Sequence, residues 1–210
     1  GDGDTGPNTG GMGAYCPAPI GTAALREQVT KDVLYPAVEA LSRMGCPFQG
    51  VLYAGLMIVN GTPYVLEFNA RMGDPETQVV LPLLKTDLLD VVEAVVEHRL
   101  DQLTVNWHDE IAVCVVMTSE GYPGVYRTGR AIHGLPAMTD TTTLVFHAGT
   151  TRVGNEVVTA GGRVLGIMGR GKTLEAAQAE AYRATRSIAF DGAHYRTDIA
   201  HRAFSRHVQR

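Results

Sequence analysis

The stretch GVLYAGLMIVNGTPYVLEFNARMGDPETQ, residues 50–78, decides most of the fold. Residues 50–59 form a continuous apolar run of strand length, and residues 64–69 form a second, shorter one. Asn60 and Gly61 stand between the two runs, and this dipeptide readily accepts the positive φ angles of a tight hairpin turn. The stretch therefore predicts an antiparallel hairpin that ends at Asn69 and is followed by a polar loop.

Helices are predicted on both sides of this hairpin. Residues 22–44 carry apolar side chains three or four positions apart, with Thr22 as N-cap and Gly45 as a C-terminal stop. Pro36 lies inside this run and is expected to kink the helix. A second helix is predicted over residues 87–100, where an aspartate precedes a valine-rich face.

The second half of the chain reads as strands followed by a helix. A polar linker around residues 101–109 leads to strand-like runs at 111–118, 144–147, 156–159 and 163–168, and then to a helix over 173–188. Two subdomains are therefore predicted, residues 1–103 and 104–210. The predicted fold class is α+β.

Composition excludes several classes of partner. The 210 residues carry a net charge of −4 without a block of like charges, and no apolar run approaches the roughly 20 residues of a membrane span. We therefore expect no nucleic acid and no membrane as partner. The three cysteines, Cys16, Cys46 and Cys114, are widely spaced and lack a CxxC pattern. We therefore interpret the three cysteines as neutral packing residues of a protein in a reducing cytoplasm.

The end of the hairpin carries the first candidate site. Side chains alternate along a strand, so Glu67 and Asn69 point to one face while Phe68 is expected to turn into the core. A carboxylate and an amide oxygen side by side are hard oxygen ligands of the type that Mg²⁺ takes. Arg71 follows and is suited to grip a carboxylate or phosphate with two hydrogen bonds. The alternative is that these polar residues only mark the solvent face of the strand.

Two carboxylates follow around a proline. Asp74 and Glu76 flank Pro75 directly after the candidate metal ligands. In one interpretation, Asp74 begins a turn and Glu76 lies in the first turn of the next helix, where a negative charge suits the helix dipole. In the other, one carboxylate orients or deprotonates an attacking amine. Both interpretations are compatible for Glu76.

The chain opens on GDGDTGPNTGGMGAY, residues 1–15, which is dominated by glycine, proline and Asx residues. So many glycines in succession carry an entropic cost that a plain connector would avoid. Independent domains rarely begin inside such an elaborate loop. We interpret the chain as one whose N-terminal half is missing.

Two long motifs resemble one enzyme family. EFNARMGDPETQ at residues 67–78 and DTGPNTGGMGAY at residues 4–15 resemble the signatures of glycinamide ribonucleotide synthetases, which lie within the ATP-grasp superfamily. Shorter segments resemble the family in the same order, so the likeness covers essentially the whole chain. They are GVLYAGLM at 50–57, GYPGVYRTG at 121–129, IHGL at 132–135, FHAGT at 146–150 and GGRVLGI at 161–167.

The resemblance implies both a fold and an activity. The fold would be the C-terminal half of an ATP-grasp domain followed by a small mixed α/β C-terminal domain. The activity would be an ATP-dependent ligase of purine biosynthesis that joins glycine to 5-phosphoribosylamine through glycyl phosphate, with Mg²⁺ or Mn²⁺. The family's upstream lobe supplies the adenine pocket and a phosphate-gripping lysine, so we expect this chain to be inactive without the N-terminal half.

The resemblance also implies roles for individual residues. Glu67 and Asn69 would hold the metal that accompanies ATP, and Arg71 would stabilise the acyl-phosphate stage. Asp74 and Glu76 are candidates for contact with the amine or ribose. The family's substrate loop falls on Asp4, Asn8, Thr9, Gly10 and Gly11.

Two other functions stay open at this stage. One is another ATP-grasp carboxylate–amine ligase, although the GDPE segment at 73–76 argues against it. The other is a non-catalytic fragment that only binds Mg-nucleotide. A further motif, GIMGRGKT at residues 166–173, matches the P-loop pattern. We interpret this match as a coincidence, because no apolar strand ending in aspartate follows it.

Overall fold

The computed structural model describes residues 1–135 and 142–207, so parts of the predicted 104–210 subdomain lie outside the described residues. The chain forms two compact units. The sheet unit comprises Gly1–Pro17, Asp74–Leu83 and His108–Ser205. The hairpin unit comprises Ala18–Gly73 and Leu84–Trp107.

The hairpin unit begins with a helix that is interrupted once. Thr22 caps it through its hydroxyl, which accepts a hydrogen bond from the backbone N–H of Leu25 at 3.2 Å, as predicted. A π-helical segment lies directly before the turn that contains Pro36, whose missing N–H cannot continue the α-helical ladder. The pieces are α1 (Ala23–Val29), the π-helical segment (Thr30–Leu34) and α2 (Tyr35–Arg43).

The predicted hairpin is confirmed. β2 (Tyr53–Val59) pairs antiparallel with β3 (Thr62–Asn69) around Asn60 and Gly61, whose φ angles are 51° and 81°. The expectation for Phe68 is wrong, because 42% of this residue is exposed. Within the described residues β2 and β3 pair only with each other. Most of β3 is therefore exposed on both faces.

The helix predicted over residues 87–100 is shorter than expected. α4 (Leu88–Val96) starts at its predicted cap, where Asp87 accepts a hydrogen bond from the N–H of Leu89 at 2.8 Å. It stops before His98, whose φ of 56° is incompatible with a right-handed helix. A short 3₁₀ turn, Leu100–Gln102, follows.

The sheet unit contains a four-stranded antiparallel sheet, which includes all but one of the strands predicted after residue 104. The strands of this unit are β1 Gly13–Cys16, β4 Ile111–Thr118, β5 Thr143–His147, β6 Thr150–Val153, β7 Glu156–Thr159 and β8 Arg163–Gly171. In the four-stranded sheet they run in the order β1–β4–β8–β5, while β6 and β7 form a separate hairpin. The sequence did not predict β1 or β6.

Helices cover this sheet and complete its core. α5 (Leu174–Ser187) is capped by Thr173, as predicted, and packs on β4 and β8. It lies so close to β8 that a Cβ atom on Gly169 would stand 2.3 Å from the backbone nitrogen of Ala181. α3 (Thr77–Val80) and the next turn bury Val79 and Leu83 against the sheet, and α6 spans His201–His207. Within the described ranges, no helix combines the length and apolarity needed to cross a membrane.

Candidate functional site

The predicted site residues divide between the two units. Glu67, Asn69 and Arg71 lie in the hairpin unit, at and just after the end of β3. The others lie in the sheet unit, in its N-terminal loop and in the segment before α3. They are Asp4, Asn8, Thr9, Gly10, Gly11, Asp74 and Glu76.

Glu67 and Asn69 are in contact. The amide Nδ2 of Asn69 donates a hydrogen bond to the Oε1 of Glu67 at 3.0 Å. Gly55 pairs with Glu67 across the hairpin, and a Cβ atom on Gly55 would stand 3.1 Å from the Glu67 Cγ. The absence of a side chain at Gly55 therefore leaves space for the Glu67 carboxylate.

This pair fits the oxygen donors that Mg²⁺ prefers. In the structure the NH₂ group of Asn69 faces the carboxylate. Rotation of the amide about χ2 brings its oxygen to the side of Glu67, where the two residues can bind one cation. Arg71 does not form an ion pair with either residue among the contacts described; its Nη1 donates to the backbone carbonyl of Met72 at 2.9 Å. Among the described residues no group of three or more His, Cys, Asp or Glu side chains is placed to hold a metal. Two protein ligands suit a cation that keeps water and phosphate oxygens as its other ligands.

Asp74 is held on both carboxylate oxygens. Arg163 Nη2 donates to Oδ2 at 3.0 Å, and Gln78 Nε2 donates to Oδ1 at 3.0 Å. Glu76 is half-buried at the N-cap of α3, where its backbone carbonyl accepts hydrogen bonds from the N–H groups of Val79 and Val80. The helix-start position expected of Glu76 is therefore confirmed.

The glycine-rich loop is fixed by residues distant in sequence. The N–H of Gly10 donates to the hydroxyl of Tyr122 at 3.1 Å, and the carbonyl of Gly11 accepts from Arg163 Nη1 at 3.2 Å. Within the loop, the Thr9 hydroxyl donates to the Gly10 carbonyl at 2.7 Å. Asn8 is exposed.

Asp4 forms a separate cluster. Its carboxylate accepts hydrogen bonds from Arg202 and, at 3.2 Å, from Arg196. The hydrogen bond from Arg202 is the main cause that holds the pKa of Asp4 below its ordinary value. None of its described hydrogen bonds reaches residues 8–11. The structure thus brings Gly10, Gly11 and Asp74 together through Arg163 but attaches Asp4 to the C-terminal arginines.

Three further sequence interpretations have structural outcomes. The P-loop match is a coincidence, since residues 166–171 lie in β8 and Lys172 Nζ donates to the backbone carbonyl of Asp109 at 2.8 Å. Cys114 is buried, and burial is the main cause that raises the pKa of its thiol to about 12, so it is a neutral packing residue as predicted. Cys46 is exposed instead.

Arg163, Tyr122 and Gln78 were not predicted as site residues. Their partners lie as far as 152 positions away in the sequence, at Gly11 in the case of Arg163. The GGRVLGI segment, which contains Arg163, resembled the family and was the signal available in the sequence. It did not indicate what the arginine contacts.

Comparison with known protein families identifies the two parts of the chain. Residues 1–77 match the model described as "Phosphoribosylglycinamide synthetase, ATP-grasp (A) domain". Residues 112–202 match the model described as "Phosphoribosylglycinamide synthetase, C domain". The chain thus contains part of an ATP-grasp domain followed by a C domain. The chain belongs to the phosphoribosylglycinamide synthetase family, and the resemblance drawn from its motifs is confirmed.

Individual relatives agree with this assignment. The phosphoribosylamine–glycine ligase of Synechocystis is 53% identical over 205 residues, which cover 97% of this chain and 49% of that protein. The ligase of Ralstonia nicotianae is 48% identical over 206 residues, covering 98% and 49%. The crystal structure of the Thermotoga maritima ligase superposes with a TM-score of 0.80 at 39% identity, over 95% of this chain and 49% of that one. The chain spans about half the length of these relatives.

Proposed function

We propose that the chain acts as part of an ATP-dependent ligase that joins glycine to 5-phosphoribosylamine and forms glycinamide ribonucleotide for purine biosynthesis. The contact between Glu67 and Asn69 carries the proposal, since it places together a carboxylate and an amide, each of which can supply an oxygen ligand, at the end of a strand in the ATP-grasp segment. The relatives named phosphoribosylamine–glycine ligases support the choice of substrates.

The proposed reaction has two steps. A carboxylate oxygen of glycine attacks the γ-phosphorus of ATP, so that an O–P bond forms and ADP leaves with the electrons of the broken bond. The amine of 5-phosphoribosylamine then attacks the carbonyl carbon of glycyl phosphate. The C–N bond forms, inorganic phosphate leaves, and the amine gives up a proton to a carboxylate or to solvent.

The residues of this chain take separate roles in the proposal. Glu67 and Asn69 hold Mg²⁺ or Mn²⁺, which when bound offsets the negative charge of the nucleotide phosphates. Arg71 binds the acyl phosphate through its guanidinium. Asp74 and Glu76 serve the amine or ribose. The substrate loop is formed by Asp4, Asn8, Thr9, Gly10 and Gly11.

We also propose how the chain divides into domains, what its partner is and where in the cell it acts. We divide the sequence into the C-terminal part of the ATP-grasp domain, residues 1–103, and the C-terminal domain, residues 104–210. The partner is the N-terminal half of the enzyme, and without it we expect no turnover, because half of an ATP clamp cannot exclude water or fix the nucleotide. The unpaired thiols support a reducing cytoplasm as the location.

The test is ADP release with Mg²⁺-ATP, glycine and freshly made 5-phosphoribosylamine. The chain is assayed alone and with the N-terminal half of a homologous ligase, and Glu67→Ala is the control. We expect ADP only in the mixture, only with all substrates, and not with the control variant. Turnover by the chain alone would overturn the expected inactivity. Mg²⁺-dependent nucleotide binding without turnover in the mixture would favour the non-catalytic alternative.

A further inference from the structure

Arg163 joins two segments that the proposed function places at the substrates. Its Nη1 donates to the carbonyls of Gly11 at 3.2 Å and Asp74 at 3.1 Å, while Nη2 donates to the Asp74 carboxylate at 3.0 Å. The arginine opens β8, and its side chain is 25% exposed. One guanidinium at the start of β8 therefore holds both the glycine-rich loop and the loop that leads into α3.

Packing around the guanidinium leaves little freedom for either loop. A Cβ atom on Gly10 would stand 3.2 Å from the Arg163 Cζ and 3.0 Å from the Tyr122 hydroxyl oxygen. On the next residue of the loop, a Cβ atom on Gly11 would stand 2.3 Å from the Cδ of Pro75. Tyr122 is itself held closely, because a Cβ atom on Gly162 would lie 2.3 Å from its ring. The glycines thus allow the backbone to approach the arginine, the tyrosine and the proline at once.

We propose that Arg163 is a positioning residue that fixes the glycine-rich loop and the Asp74-Pro75 segment relative to each other. The proposal rests on the proposed function and refines it. Both oxygens of the Asp74 carboxylate are engaged, by Arg163 and by Gln78, so Asp74 belongs to this clamp. The carboxylate can still accept further hydrogen bonds, and the Asp74 side chain is 49% exposed, so Asp74 can be held in this clamp and also face the amine or ribose.

An ordinary ion pair does not account for this geometry. A partly exposed ion pair contributes little to folding. Two of the three acceptors at Arg163 are backbone carbonyls of two separate segments, so the guanidinium donates charge-assisted hydrogen bonds to both segments in addition to the ion pair. The planar guanidinium presents several N–H donors in a fixed fork. A lysine ammonium is a single point charge and cannot reach all three acceptors in the same way.

Amide hydrogen exchange on this chain tests the clamp without any need for activity. In Arg163→Met we expect exchange at residues 9–12, 74, 76 and 77 to rise at least fivefold, while β4 and the rest of β8 keep their protection. Arg163→Lys should give an intermediate rise. The matched control is Arg170→Met on the same strand, since Arg170 is 22% exposed and also contacts a carboxylate and a carbonyl, those of Glu110 and Pro82.

The two outcomes are distinct. A rise confined to the two loops in Arg163→Met, and absent there in Arg170→Met, supports the clamp. Unchanged exchange, or an equal rise throughout the sheet in both variants, overturns it. Because this measurement uses no substrate, it decides the clamp even if the proposed ligase reaction fails.

A kinetic measurement tests whether the clamp positions groups for the reaction. In the ADP-release mixture, Arg163→Met should lower kcat at least tenfold and leave the KM for ATP within twofold, with partial recovery in Arg163→Lys. A role limited to folding stability predicts an unchanged kcat per folded molecule. That result would overturn the positioning role.

Discussion

Pro75 lies directly against Gly11, because a Cβ atom added to Gly11 would stand 2.3 Å from the proline Cδ. Pro75 is fully buried and its ring is rigid, so it cannot yield. Gly11→Ala should therefore destabilise the protein by about 1–3 kcal/mol, the usual cost of overpacking. Urea unfolding measures this change.

The neighbouring glycine is the control for this effect. A Cβ atom on Gly10 would meet the ends of the Arg163 and Tyr122 side chains, which can move by a few tenths of an ångström. Gly10→Ala should therefore cost less than Gly11→Ala. The reverse order would show that the contact with Pro75 does not limit this loop.

Metal binding should depend on the hairpin pair and not on the P-loop match. With Mn²⁺ and ATP as the probe, Glu67→Gln or Asn69→Leu should weaken metal binding at least tenfold, since each removes one of two protein ligands. Lys172→Met should leave binding unchanged, because its ammonium donates a hydrogen bond to the backbone carbonyl of Asp109. Electron spin resonance of free Mn²⁺ measures all three variants. Equal losses in Glu67→Gln and Lys172→Met would contradict the assignment.

Phe68 should contribute little to the stability of the chain. Since 42% of it is exposed, Phe68→Ala is expected to cost less than about 1.5 kcal/mol, well below the usual 3–5 kcal/mol for a buried phenylalanine. Ile167→Ala is the comparison, because Ile167 is completely buried in the sheet core and should cost about 2–5 kcal/mol. Similar losses in chemical denaturation would mean that Phe68 is covered in solution.

Glu180 should make folding sensitive to acid. Hydrogen bonds from Arg183, and then from Thr143, lower its pKa to about 2 from an ordinary value of 4.5. Its stabilising effect is therefore complete above about pH 4.5 and is lost as the pH falls towards 2. Because Arg183 is 59% exposed, we expect the contribution to be at most about 1 kcal/mol.

The variant Glu180→Gln isolates this effect. Unfolding free energies measured from pH 7 down to 2.5 should decline less steeply in Glu180→Gln than in the parent chain. Glu39→Gln is the control, since the ion pair of Glu39 with Arg43 lies on the surface and should contribute little. Parallel curves for the parent and Glu180→Gln would rule out this carboxylate as a source of acid sensitivity.

Local sequence signals were sufficient for much of the fold. Asn60 and Gly61 supplied the backbone angles of the hairpin turn, and the caps at Thr22, Asp87 and Thr173 lie where their side chains predicted. β1 was missed because its four residues, GAYC, show no clear alternation and follow a run of glycines. Its partner β4 lies about a hundred residues further on, at a separation that no local pattern reveals.

The candidate site divides in the same way. The pairing of Glu67 with Asn69 followed from the two-residue period of a strand. The same two-residue period led to the prediction that Phe68 is buried in the core, which was wrong. Alternation indicates which side chains share a face of the strand, but not whether other residues cover that face. The contacts of Arg163 depend on tertiary packing, so the sequence indicated its motif but not its role.

The edge strand β1 has a consequence for how the C-terminal part can exist by itself. β4 lies between β1 and β8, and all of its residues except the half-buried Ile111 are buried. The match to the C domain begins at residue 112, after β1 has already been contributed by the segment matched to the ATP-grasp domain. A polypeptide without Gly13–Cys16 would present β4 as a long apolar edge with unpaired backbone groups, which is a template for self-association. By pairing with β4, β1 therefore protects this sheet from aggregation.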